Sequence, residues 1–146
     1  MINKEEAISI FRQKKIKLTP QRIAIIEFLS KEDGHYSAED IYTTLKQDFP
    51  YMSFSTVYNT LKTLSELHLI EELYLLDKKV VFDTNTIPHF HFLCTKCGKI
   101  YDVKSTECFN LDKCSAVFPG HLVEKTHVYM YGVCKECLEK EKKSSH

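Results

Sequence analysis

The chain has 146 residues, 43% of them hydrophobic and 27% charged, with 20 basic and 20 acidic side chains. That balance suits a soluble globular protein of one domain or two small ones; no apolar run approaches a membrane span, and a net charge of zero does not by itself suggest nucleic acid. Met1-Ile2-Asn3-Lys4-Glu5-Glu6 lacks a signal-peptide core, so a cytoplasmic protein is expected, in which the six cysteines serve as metal ligands or free thiols rather than disulfides.

Residues 4–15 read as a first helix with Ala7, Ile8 and Phe11 on one side. Arg12, Lys14, Lys15, Lys17 and Arg22 then form a basic run with no acid between them. Such a run is a patch that docks on phosphate, or simply a solvated helix face. Thr19-Pro20 is a helix start, a hydroxyl cap followed by proline at the first helical position. Ile23, Ile26, Phe28 and Leu29 give that helix an apolar face to about Ser30, and Gly34 breaks it. Ser37-Ala38-Glu39-Asp40 has the form of a capping box and opens a short helix with Ile41, Tyr42 and Leu45 inward, ended by Phe49-Pro50.

Ser53 or Ser55 caps the next helix, which runs to about Leu67 with Val57, Leu61 and Leu64 as its buried stripe. Ser55, Thr56, Tyr58, Asn59 and Lys62 occupy its other faces, with hydrogen-bonding groups suited to base edges and phosphates. Residues 69–76, a turn at 77–79 and residues 80–83 read as a β-hairpin. Helices followed by a hairpin make a winged helix-turn-helix, and the helix before the hairpin is the candidate recognition helix. The same pattern also fits a small α+β domain with no nucleic-acid role. Residues 84–88, Thr-Asn-Thr-Ile-Pro, form a hinge.

After the hinge comes a stretch that carries metal chemistry. Side chains on a strand alternate faces, so His89 and His91 point one way and Phe90 and Phe92 the other. Two adjacent imidazoles suit a borderline divalent metal, although a half-buried strand exposing two histidines has the same pattern. Cys94-x-x-Cys97 followed by Gly98 reads as a knuckle that presents two thiolates to one ion, and Cys134-x-x-Cys137 is a second. Two such pairs read as a closed, structural four-thiolate Zn²⁺ site. A redox Cys-x-x-Cys is the competing reading, but it does not need a second pair. Residues 106–118 are expected to be helical and His121 to Tyr131 to form a long strand, with a charged helix closing the chain. A strand-rich domain this small has little core and open edges, so zinc would support it and a second subunit would cover an edge.

The motifs Leu18-Thr19-Pro20-Gln21-Arg22, Ala38-Glu39-Asp40-Ile41-Tyr42 and Ser55-Thr56-Val57-Tyr58-Asn59, with the His89–Asp102 stretch and both cysteine pairs, resemble the ferric uptake regulator family of metal-dependent repressors. The resemblance covers nearly the whole chain. It implies an α+β fold: a winged-helix DNA-binding domain over 1–83, the hinge at 84–88, and a small α/β dimerisation and metal-binding domain over 89–146. It implies a homodimer, no enzyme, that binds a palindromic double-stranded operator. Structural Zn²⁺ would sit on Cys94, Cys97, Cys134 and Cys137. A regulatory Fe²⁺ or Mn²⁺ would sit on His35, Asp83, His89, His91 and Asp102, a set that resembles the peroxide-sensing branch in having aspartate at 83 and 102. In that branch the iron-bound protein is oxidised at a ligand histidine, here His35 or His89, and releases DNA.

Lys17 and Arg22 would lie near phosphates or the adjacent groove, and Ser55, Thr56, Tyr58 and Asn59 at the recognition surface. Phe90 stands where relatives often carry an aspartate, and Thr126, rather than His127, stands at a further ligand position, so a second regulatory site is not expected. Cys108 and Cys114 match no ligand position. The alternatives are an iron-, manganese- or zinc-responsive repressor without peroxide chemistry, and a thiol oxidoreductase using Cys94 and Cys97.

Overall fold

The computed structural model describes residues 1–31, 33–104 and 117–144. The chain divides into two compact units, Met1–Thr86 and Ile87–His146. The break falls inside the stretch read as a hinge. Cys108, Cys114 and most of the helix expected over 106–118 lie outside the described residues. Among the described residues no helix is long and apolar enough to cross a membrane.

The first unit is helical up to its wing, and each helix starts at a side-chain cap. Asn3 accepts from the Glu6 N–H to open α1, Lys4–Gln13. Thr19 accepts from the Arg22 N–H to open α2, Pro20–Leu29, with proline at the first turn. Ser37 and Asp40 form a reciprocal capping box at the head of α3, Ala38–Leu45. Ser53, rather than Ser55, caps α4, Phe54–Glu66, by accepting from the Thr56 N–H. Each cap satisfies a donor that the first helical turn leaves without an intrahelical partner.

The helices share one core. Phe11 of α1, Ile25, Ile26 and Leu29 of α2, Ile41 of α3, and Val57, Leu61 and Leu64 of α4 are fully buried in it. Side chains of this size are worth about 1.5–3 kcal/mol each when fully buried. On α2 the buried positions are Ile25, Ile26 and Leu29, whereas Ile23 and Phe28 are half-buried. The apolar face is therefore turned slightly from the sequence reading.

The wing is an antiparallel sheet in the order β1–β3–β2. β2 is Glu71–Tyr74 and β3 is Val80–Asp83, joined through a 3₁₀ turn at Leu76–Lys78. This is the expected hairpin. The sequence reading missed β1, His35–Tyr36, which pairs with the far edge of β3: His35 opposite Asp83 and Tyr36 opposite Phe82. Helices followed by this sheet make the winged helix-turn-helix.

The second unit holds a sheet in the order β5–β4–β6. β4 is Phe90–Cys94, β5 is Ile100–Val103 and β6 is Tyr129–Gly132. β5 runs antiparallel to β4, with His91 opposite Asp102, and β6 runs parallel to it. Gly132 lets the sheet close against Phe92, whose ring would lie 3.2 Å from an added Cβ. A final helix, α5, spans Lys135–Ser144. The long strand expected over 121–131 is shorter than its composition suggests. Regular pairing covers only Tyr129–Gly132, and the backbone first meets β4 where the His91 N–H donates to the Val128 carbonyl at 3.1 Å. Residues 121–127 are exposed and form no strand, because β-branched composition alone does not make one.

Candidate metal centres and nucleic-acid face

Two knuckles bring four cysteines together in the second unit. The first is the turn between β4 and β5. The Gly98 N–H donates to the Cys94 carbonyl at 2.9 Å, and the Cys94 N–H donates to the Lys99 carbonyl at 3.0 Å. Gly98 takes φ +72°, a left-handed conformation that glycine adopts at little cost. The second knuckle joins β6 to α5. Across the two, Cys94 Sγ lies 3.9 Å from Cys137 Sγ, and Cys97 Sγ lies 3.8 Å from Cys134 Sγ. All four sulfur atoms lie within 4.8 Å of one another. A tetrahedral zinc with bonds of about 2.3 Å sets its sulfurs about 3.8 Å apart, so the cluster fits Zn²⁺. Both of these approaches run between the knuckles, so one ion could bridge them, and all four cysteines are free thiols.

The electrostatics of the cluster favour thiolate unevenly. The Cys134 N–H donates to Cys94 Sγ at 3.3 Å. That bond, then backbone donors at Cys97 and Lys96, draws the Cys94 thiol down to about 6. Cys137 is pushed up to about 12, first by its neighbour Cys134 and then by burial. A bound cation would favour thiolate at all four sulfurs. Beside them the Tyr101 hydroxyl donates to Glu136 Oε2 at 2.5 Å. It holds the Glu136 carboxyl down at about 2, and the same bond raises the tyrosine well above its ordinary value.

A second donor group in this unit lies on the β4–β5 pair. His89 Nε2 is 3.3 Å from Asp102 Oδ1, and His91 Nε2 is 3.9 Å from the same oxygen. The two rings are 4.4 Å apart, centre to centre. His89 Nδ1 lies 2.6 Å from the Ile87 carbonyl. A carbonyl only accepts, so Nδ1 carries the proton and Nε2 keeps its lone pair for a ligand. His91 is buried. Phe90 is buried too and offers no donor, while His127 is exposed and stacks at 6.2 Å on Tyr129.

In the first unit the β1–β3 pairing puts His35 Nε2 3.5 Å from Asp83 Oδ2. Asp83 is buried, and its Oδ1 accepts from the Asn85 N–H at 2.8 Å. Thr84, also buried, fixes the chain beside His35: its N–H donates to the Gly34 carbonyl at 3.2 Å and its Oγ1 accepts from the Gly34 N–H at 3.0 Å. Imidazole and carboxylate donors in both groups suit Fe²⁺ or Mn²⁺ rather than a thiolate-selected ion. The sequence carried no signal for Thr84, because its role depends on a two-residue strand.

The outer face of α4 presents Ser55, Tyr58 and Asn59 to solvent, with Thr56 half-buried. The Phe54 ring stacks on Tyr58 at 6.5 Å and meets Tyr42 edge-on at 5.8 Å. Lys62, read as part of the same outer set, is instead held by Glu72 of β2 at 2.8 Å. Lys17 is exposed, and Arg22 donates to its carbonyl at 2.6 Å. Arg22 thereby props the loop that carries Lys17.

Residues 13–137 match the model of the ferric uptake regulator family. A peroxide-responsive repressor, PerR, of Staphylococcus aureus is 37% identical over 136 residues, which cover 93% of this chain and 92% of the relative. Among solved structures, the peroxide stress regulator of Campylobacter jejuni is 30% identical with a TM-score of 0.68, covering 89% of this chain and 98% of the other. The Helicobacter pylori ferric uptake regulator shares the fold with a TM-score of 0.78 at 24% identity, over 92% of this chain and 90% of the other.

Proposed function

The chain belongs to the ferric uptake regulator family, and from that premise we propose that it is a homodimeric, metal-responsive repressor that senses peroxide. The regulatory ion, Fe²⁺ or Mn²⁺, would be held by His35, Asp83, His89, His91 and Asp102. The observation that carries this reading is that strand register sets His35 against Asp83 and His91 against Asp102. Likeness to peroxide-responsive repressors supports it.

The chemistry that Fe²⁺ would supply is peroxide cleavage, with the oxidant consumed by a neighbouring imidazole, His35 or His89. The protein's own part is to fix the ligands. Asp83 is held by the Asn85 N–H, and His89 by the Ile87 carbonyl. Ligands drawn from residues before and after the hinge couple metal binding to the arrangement of the DNA-binding surfaces. Ser55, Thr56, Tyr58 and Asn59 would meet base edges of a palindromic operator in double-stranded DNA, with Lys17 on phosphate and Arg22 behind it. Loss of one ligand histidine would remove the coupling and derepress the target genes.

The test is DNA binding by the zinc-loaded protein with Fe²⁺ and with Mn²⁺, before and after peroxide. Both metals should support binding, and peroxide should abolish it with Fe²⁺ only. Binding that survives peroxide with both metals would make the chain a metal-responsive repressor of the plain kind.

A further inference from the structure

Helix α5 buries none of its residues, and its Leu138 is 45% exposed. Among the described residues, no apolar core holds it to the sheet. Apart from Cys134 and Cys137, it is tied down by polar links to the first knuckle and to the strand that follows. Tyr101 of β5 donates to Glu136. Lys99 Nζ lies 4.8 Å from the centre of the Tyr101 ring and 3.8 Å from Glu136 Oε1. Lys96 pairs with Glu141. These links are unequal. The lysines and glutamates are exposed, and exposed ion pairs are worth at most about 1 kcal/mol. The Tyr101–Glu136 bond is exposed as well, but it belongs to the charge-assisted class, roughly twice as strong as a neutral bond. Glu136 also stands between the two cysteines of the second knuckle, so whatever fixes Glu136 fixes that knuckle.

We propose that Tyr101 is a positioning residue for the zinc site, latching the Cys134–Cys137 knuckle to β5 through Glu136 and keeping its thiols closed on the metal. The proposal rests on the zinc reading of the four cysteines and is independent of peroxide sensing. The first knuckle needs no such latch, because the Gly98–Cys94 and Cys94–Lys99 backbone bonds build it into the β4–β5 turn. The two halves of the site should therefore open in order, the second knuckle first.

The experiment uses the zinc-loaded full chain and its Tyr101→Phe, Glu136→Ala and Glu136→Gln variants. Zinc transfer to a colorimetric chelator is timed, and alkylation of each cysteine is followed by peptide mass spectrometry. Tyr101→Phe and Glu136→Ala should release zinc roughly fivefold to tenfold faster, the size of one lost hydrogen bond. In both, Cys134 and Cys137 should be alkylated before Cys94 and Cys97. Glu136→Gln, whose amide oxygen still accepts from the hydroxyl but without the charge, should release zinc faster than the parent and more slowly than Glu136→Ala. A general loss of structure would expose all four cysteines together, and that result overturns the proposal, as does parent-like release in Tyr101→Phe. A parent chain that carries no zinc overturns both the proposal and the zinc reading beneath it.

Discussion

His35 and Asp83 face each other across the β1–β3 pair, Nε2 to Oδ2 at 3.5 Å. The contact depends on a strand of only two residues, held in place by the Thr84–Gly34 backbone and hydroxyl bonds. Thr84→Val keeps the shape of the side chain and removes its hydroxyl. The half-buried Gly34 N–H then loses its acceptor, at a cost of about 1 kcal/mol. The variant should need about tenfold more Mn²⁺ for half-maximal DNA binding, with its four-cysteine zinc content unchanged. Wild-type Mn²⁺ dependence would show that His35 needs no such support.

The four-cysteine cluster sets a larger scale. Structural zinc contributes on the order of 10 kcal/mol of apparent binding free energy, more than the few buried side chains among the unit's described residues can replace. Cys97→Ser should unfold the second unit or abolish dimerisation, read by size-exclusion chromatography and circular dichroism. A well-folded, zinc-free dimer of that variant would remove zinc from the account.

These two sites differ in how much of them the sequence displayed. The cysteine knuckles and the helix caps are local: Cys94-x-x-Cys97-Gly98, Thr19-Pro20 and Ser37-x-x-Asp40 each specify their geometry within a few residues. His89 and His91 were legible as a same-face pair from strand alternation. His35 and Asp83 were not, because nothing in the spacing announces a two-residue strand laid along the far side of β3. Only resemblance to a family joined them. The Tyr101–Glu136 bond was invisible for the same reason, since it links residues 35 positions apart without any periodicity. The strand expected over 121–131 is the converse case, in which β-forming composition overstated a strand that spans only Tyr129–Gly132.

The capping box of α3 makes a prediction about pH. Asp40 accepts from the Ser37 hydroxyl at 2.6 Å and from its N–H at 3.0 Å. The hydroxyl bond first, and then the backbone bond, hold its carboxyl below the ordinary value despite some burial. A lowered carboxyl stabilises the fold above its unfolded value of about 3.9, and the contribution fades as pH falls through the lower folded value. Asp40→Ala should cost about 1 kcal/mol near neutrality, as cap deletions do. The difference should shrink in acid, measured from urea midpoints at the two pH values. An equal cost at both would assign the effect to packing instead.

On the proposed nucleic-acid face, Lys17 and Tyr58 should separate two roles. Lys17 is exposed, on a loop propped by Arg22, so its charge is free to meet phosphate. Lys17→Ala should weaken binding to all duplexes alike and lower the salt slope by about one phosphate's worth. Tyr58 lies on the outer face of α4 with Phe54 stacked on it. Tyr58→Ala should chiefly reduce discrimination between a selected palindromic site and random DNA. If both variants bind like the parent, the interface lies elsewhere.

Peroxide separates the two kinds of repressor. Asp83 and Asp102 are shorter than glutamates, so they should leave a bound Fe²⁺ less crowded and keep a position open for peroxide. His89 is oriented by the Ile87 carbonyl, which would present Nε2 to a bound ion and leave the ring carbons beside it open to an oxidant. Fe²⁺ reduces peroxide readily, whereas Mn²⁺ should do so poorly. Iron-loaded protein treated with peroxide should gain one oxygen atom on His35 or His89, located by peptide mass spectrometry, and release its operator. Manganese-loaded protein should remain bound and unmodified. Iron-loaded protein that survives peroxide unmodified and still binds DNA would be a plain metal-responsive repressor. Oxidation confined to Cys94, Cys97, Cys134 and Cys137, with loss of zinc, would instead make the thiols the sensor.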